Sequence, residues 1–168
     1  GLKCLKLDYT NEESIDNTVN TILKETDGKL SAIFNNGAYA LPGALEDIPT
    51  EGLRSIFETN VFGWHSLIKK VLPVMKKQGH GKILQCSSIL GFITLAYRGP
   101  YNATKWAIEA LTDTLRIELS GTDIKVITIR PGPISTKIRS NSLEHFKKWV
   151  NWKNSSIKGL YKNHLIPR

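Results

Sequence analysis

Lys82-Ile83-Leu84-Gln85-Cys86-Ser87, reached through Gly79 and Gly81 and followed by Ser88, reads as a buried strand. Its apolar residues follow one another rather than alternating with polar ones, as in a strand covered on both faces. Ser31-Ala32-Ile33-Phe34 upstream and Ile124 to Ile129 downstream read the same way, and Leu2 to Leu7 reads as a further short strand ending at Asp8. Helical spacing lies between these runs. Thr10 and Glu13 have the spacing of a capping box, which predicts a helix from Asn11 to Glu25 with Ile15, Val19, Ile22 and Leu23 on one face. Thr50 opens a long helix to Gln78, in which Pro73 is expected to cause a kink or a local end. Another helix is expected from Tyr101 to Leu119, and Pro131-Gly132-Pro133 stops the last strand.

Four strands alternating with helices predict an α/β chain with a doubly wound parallel sheet and helices on both faces. In such sheets ligands bind outside the carboxyl ends of the strands. The polar residues at those ends are Asp8, Asn35-Asn36-Gly37, Ser87-Ser88 and Arg130-Pro131-Gly132.

The chain has 168 residues, 40% apolar and 23% charged, a globular composition with room for a core. It has no apolar run long enough to span a bilayer, and its start does not read as a signal peptide. Cys4 and Cys86 read as buried free thiols, and His65, His80, His145 and His164 are scattered without metal-ligand spacing. A reducing, cytoplasmic setting is expected, with no metal. The net charge is +8, of which +7 falls between Lys137 and Arg168. Such a segment either attracts anionic partners or forms a solvated surface, and no nucleic-acid motif accompanies it.

Tyr101-Asn102-Ala103-Thr104-Lys105 sets a phenol and an amine four residues apart near a helix start, so that they share a face. A nearby ammonium favours phenolate and is expected to lower the Tyr101 pKa, making it a proton donor to a carbonyl or a base toward an alcohol. Ser88, at a strand end, is placed to stabilise charge on the reacting oxygen. Asn60, inside the long helix, is a candidate to hold a water against Lys105.

This ordered set resembles the short-chain dehydrogenase/reductase family over residues 1 to 140: Asp8, Asn35-Asn36-Gly37-Ala38, Asn60, Ser88, Tyr101 with Lys105, and Pro131-Gly132. The resemblance implies a partial Rossmann-type fold and reversible hydride transfer between NAD or NADP and a small carbonyl or alcohol substrate. The stretch from Gly81 to Lys105 also looks like members acting on aldehydes, ketones, or steroid- and retinoid-like compounds. It implies Tyr101 as acid/base, Lys105 as the group that acidifies it and bonds the nicotinamide ribose, Ser88 on the carbonyl, and Asn60 behind a relay water. Asp8 would meet the adenine, and Asn35 and Gly37 would line the cofactor channel. Pro131, Gly132, Ile134 and Thr136 would face the nicotinamide end, and the protein is expected to be a homo-oligomer.

Two departures stand out. Gly37 and Ala38 are exchanged relative to the family's Asn-Asn-Ala-Gly, and no glycine-rich phosphate loop occurs in the chain. Residues 1–136 therefore read as an incomplete dinucleotide-binding domain, part of a longer polypeptide and inactive alone. The competing reading is a non-catalytic scaffold. Residues 137–168, with Phe146, Trp149, Val150 and Trp152 among lysines, read as a mobile substrate lid, with a membrane-surface helix as the rival.

Overall fold

A computed structural model describes residues 3–166. Its sheet has three parallel strands, β1 (Ala32–Asn35), β2 (His80–Cys86) and β3 (Asp123–Ile129), in the order β1-β2-β3. Ile33 pairs with Ile83 and Ile83 with Val126, which puts these β-branched side chains in one row across the sheet. The strand expected from Leu2 to Leu7 does not form over residues 3–8, and Leu2 lies outside the described residues. A strand needs a ladder partner for its backbone groups, and residues 3–8 have none among the described residues. Leu7 and Tyr9 instead pack their side chains onto the helices. Cys4, expected to be buried, is consequently exposed, and Cys86 is half-buried; both thiols are free.

Helix α1 (Glu12–Glu25) starts one residue later than the capping-box reading placed it. Asn11 is the cap, its Oδ1 accepting from the Ser14 N–H at 2.9 Å, while the Thr10 hydroxyl donates to Asp8 Oδ1. The long helix is three pieces: α2 (Thr50–Phe57), a π-helical turn (Glu58–Phe62) and α3 (Gly63–Gln78). Pro73 does not end α3. It lies on the exposed side, where water reaches the carbonyl that its missing N–H leaves free. Gly79, at φ +83°, takes the left-handed conformation that terminates α3. Helix α4 (Gly99–Glu118) carries the Tyr-x-x-x-Lys pair.

The three long helices pack on one face of the sheet. Ile68 and Met75 of α3, with Leu115 of α4 and Leu119 beyond its end, meet Ile33, Ile83, Ile124 and Val126. Helix α1 stacks on α3 through Ile15, Val19, Leu67 and Val71. The opposite face carries Phe34, 51% exposed, with Ile127 and Ile129. Both faces are apolar, which is why the strands read as continuous apolar runs, but the described helices cover only one of them.

Residues 137–166 share a core with the middle of the chain. Phe146 and Val150, from the end of α5 (Ile138–Trp149), join Leu41, Ala44, Ile56, Tyr101 and Tyr161 in one cluster. The Tyr161 hydroxyl, fully buried, accepts from the Ala44 N–H and donates to Asp47 Oδ2, both at 2.8 Å. Ser155 Oγ donates to the same carboxylate oxygen. Burial and the adjoining carboxylates push the Tyr161 phenol up to about 12, so it stays a donor.

Candidate active site

The site lies at the carboxyl ends of the strands. After Cys86 the chain makes a short 3-10 turn (Ile89–Gly91) capped by Ser88, whose Oγ accepts from the Leu90 N–H at 3.1 Å. Ser88 is buried and its hydroxyl lies near the Tyr101 phenol. Tyr101 lies in the first turn of α4, and one turn on is Lys105, whose Nζ is 5.4 Å from the Tyr101 ring centroid. The structure therefore brings Ser88, Tyr101 and Lys105 together.

The electrostatics differ from the sequence expectation. Burial pushes the Tyr101 phenol up from its usual value, and the nearby Ser88 hydroxyl opposes that shift. Lys105 is not among the causes. Its ammonium, 2% exposed, donates to the Cys86 carbonyl at 2.6 Å and lies 4.7 Å from the centroid of the Trp64 ring. Burial lowers Lys105 itself to about 8, with the nearby Glu109 carboxylate holding it up in part. Desolvation outweighs mutual attraction because both groups sit under protein.

Asn60 is wholly buried in the π-helical turn. Its Oδ1 accepts from the Tyr39 N–H at 3.1 Å, and its Nδ2 donates to the Tyr39 carbonyl at 2.9 Å and to Thr104 Oγ1 at 3.2 Å. The carboxamide uses both N–H donors on protein, so it fastens the segment after β1 to α4 rather than offering a donor to a water beside Lys105. Asn35, expected to line a channel, is also fully buried: its Nδ2 donates to Gln85 Oε1 at 2.8 Å, and its Oδ1 accepts from the Tyr9 hydroxyl at 3.2 Å. Gly37 is exposed, but a Cβ there would come within 2.6 Å of the Tyr9 ring, and its carbonyl accepts from Trp64 Nε1 at 2.8 Å. The glycine is required for that close approach.

Asp8 is exposed, its carboxyl held below the usual range by the backbone and hydroxyl of Thr10. Pro131 is tied to the Ser88 turn, its carbonyl accepting from the Ile89 N–H at 3.1 Å. Gly132 has open space where a Cβ would stand, and Ile134, 64% exposed, and Thr136 lie on the same exposed segment. Sequence reasoning missed Tyr9, Gln85, Trp64, Tyr39 and Thr104, which hold the site from behind. Their common signal is a polar or aromatic residue beside an apolar run, which many surface residues share.

A family model described as short chain dehydrogenase matches residues 2–147. An uncharacterised oxidoreductase of Escherichia coli is 38% identical over 141 residues, 84% of this chain and 52% of that protein. An NADPH-dependent 3-dehydrocapnine reductase of Ornithobacterium rhinotracheale is 37% identical over 139 residues, 80% of this chain and 49% of that protein. Among solved structures, a short chain dehydrogenase/reductase from Burkholderia phymatum in complex with NAD superposes with a TM-score of 0.76 at 26% identity, covering 81% of this chain and 49% of that one. The fold and the clustered Ser88, Tyr101 and Lys105 define an α/β protein of the Rossmann type. The chain belongs to the short-chain dehydrogenase/reductase family, and it spans about half the length of the relatives it matches.

Proposed function

We propose that the chain supplies the catalytic residues of a nicotinamide-dependent oxidoreductase acting on a carbonyl/alcohol pair. The observation that carries this reading is the clustering of buried Ser88, Tyr101 and Lys105 beyond the strand ends, with Lys105 Nζ 5.4 Å from the Tyr101 ring centroid. The donor set suits the ribose-nicotinamide end of NAD or NADP: an amine and a phenol for sugar hydroxyls, and an open segment at Gly132 and Ile134 for a flat ring. Lys105, Tyr101, Gly37, Pro131, Gly132, Ile134 and Thr136 would hold it. When bound, the cofactor supplies or accepts the hydride.

The rest is the work of this chain. Tyr101 stays protonated at neutral pH because burial disfavours its phenolate, so it serves as the acid toward a carbonyl oxygen and as the base in reverse. Ser88 orients that oxygen through its hydroxyl. Lys105, one turn from Tyr101 and lowered by burial to about 8, would donate to the ribose hydroxyls of the cofactor. The basic segment from Lys137 onward closes the substrate side, with His145 of α5 stacked on Tyr39 at 3.7 Å between ring centroids. Tyr39 and Trp149, partly exposed against the cluster that holds Tyr101, favour a carbonyl substrate that is apolar on that side.

The test is Tyr101→Phe in the protein at its natural length, assayed for oxidation of NADH and NADPH against decanal, cyclohexanone and other aldehydes and ketones. Turnover by the unaltered protein and its loss by about a thousandfold or more in the variant are expected, in line with the weight of a positioned proton donor. Equal turnover in both overturns the reading.

A further inference from the structure

We propose that Glu109 and Arg130 are positioning residues: their ion pair clamps the turn bearing Ser88, the helix bearing Tyr101 and Lys105, and the segment from Pro131 to Thr136 into one working arrangement. The inference rests on the oxidoreductase reading above for its catalytic consequence, and on geometry alone for the clamp.

Glu109 stands on α4 one turn beyond Lys105, and it is buried. Its two carboxylate oxygens accept separately from Arg130, from Nε at 2.9 Å and from Nη2 at 2.7 Å. This is the forked geometry in which a guanidinium fixes orientation as well as distance. Arg130 is the residue that follows β3 and precedes Pro131-Gly132. Its guanidinium also lies over the Phe92 ring, 4.3 Å from the centroid, so the same group reaches the far end of the Ser88 turn.

Gly91 explains how three elements meet at one pair. A Cβ built there would come within 2.9 Å of Glu109 Cγ, 3.2 Å of Glu109 Oε1 and 2.8 Å of Ser87 Oγ. The carboxylate arm thus passes through the space that any other residue at position 91 would fill. Backbone bonds flank the junction: Ser87 N–H to the Ile129 carbonyl at 2.8 Å, and Ile89 N–H to the Pro131 carbonyl at 3.1 Å. Ser88, near the Tyr101 phenol, lies between those two anchors.

The pair has little to do with the chemistry itself, because neither side chain touches Ser88 or Tyr101 through a hydrogen bond. Its effect is indirect. Removing either partner frees the turn from the helix, and a displacement of about 1 Å at a reacting atom costs about a hundredfold in rate. Removing Arg130 in addition leaves a buried carboxylate without its counter-charge.

The test uses Glu109→Gln, Arg130→Lys and Arg130→Met in the protein at its natural length. Two readouts are taken: steady-state kinetics on whichever aldehyde or ketone the unaltered protein reduces, and amide hydrogen exchange. The expected kinetic result is a fall in kcat of about tenfold to a hundredfold with KM for the carbonyl changed much less. Arg130→Lys should not rescue, since an ammonium cannot make the forked contact or cover Phe92. The expected exchange result is faster exchange at Ile89 and Gly91 with Ile83 in the middle of β2 unchanged. Unaltered kcat together with unaltered exchange at Ile89 and Gly91 overturns the proposal. So does faster exchange spread equally over Ile83, which marks general destabilisation. If Tyr101→Phe leaves turnover intact, the oxidoreductase reading fails, while the exchange readout still decides the clamp.

Discussion

At the scale of single residues, the Tyr101–Lys105 pair shows how far spacing reaches and where environment takes over. The four-residue interval is enough to place both side chains on one face of α4, and the structure keeps them together. It does not set their proton affinities. Burial dominates for both, raising the phenol and lowering the amine to about 8. For the amine the sign follows from linkage. The unfolded chain holds the Lys105 proton up to the ordinary lysine range, and the folded chain releases it near pH 8, so the unfolded state binds more protons in between. Stability should therefore gain a contribution as pH rises from about 8 toward 10, on the order of 3 kcal/mol at the upper end. Lys105→Met should abolish turnover, keep the fold and remove this rise. Urea titrations at a series of pH values measure it, and an undiminished rise in the variant would contradict the assignment to Lys105.

At the scale of elements, hydrogen-bonded knots join pieces that are far apart in the sequence. Asn60 in the π-helical turn ties Tyr39 to Thr104. A π turn interrupts the regular helix ladder and is found often at functional sites, here at the point where the long helix passes the site. Asn60 was legible as a special residue, but its partners were not, because an asparagine's hydrogen bonds depend on what the fold brings near it. Tyr161 performs the matching service for the carboxyl-terminal segment, latching it to Ala44 and Asp47. Tyr161→Phe removes the hydroxyl that accepts from the buried Ala44 N–H and should cost about 1–3 kcal/mol. A thermal melt should show a lower midpoint, with faster proteolysis confined to residues beyond 150. A variant as stable and as protease-resistant as the parent would show that the latch contributes nothing.

At the scale of the whole molecule, two apolar surfaces face outward. One is the sheet face with Phe34, Ile127 and Ile129; the other is on the outer side of α4, with Trp106, Ala110 and Ile117 at helical spacing. Patches of this kind mark association sites in soluble proteins. The 168-residue chain produced alone should self-associate at micromolar concentration, and Phe34→Lys with Ile127→Lys should reduce this in sedimentation velocity. Trp106→Glu separates the second surface: if α4 is the contact of a homo-oligomer, this variant alone lowers the assembly size at natural length. A monomeric parent chain would count against both surfaces. What the amino-acid order determined is local and periodic: the apolar strand runs, the helical faces, the glycine ends, and the interval that co-locates Tyr101 and Lys105. These follow from backbone geometry and side-chain spacing within one element. What tertiary structure decided is everything that depends on neighbours remote in the chain. Residues 3–8 form no strand because no described residue offers them a ladder partner, the proton affinities of Tyr101 and Lys105 were set by burial, and Glu109 met Arg130 across 21 residues of sequence. Pairing, desolvation and ion contact are properties of the surroundings in space, and no interval along the chain encodes them.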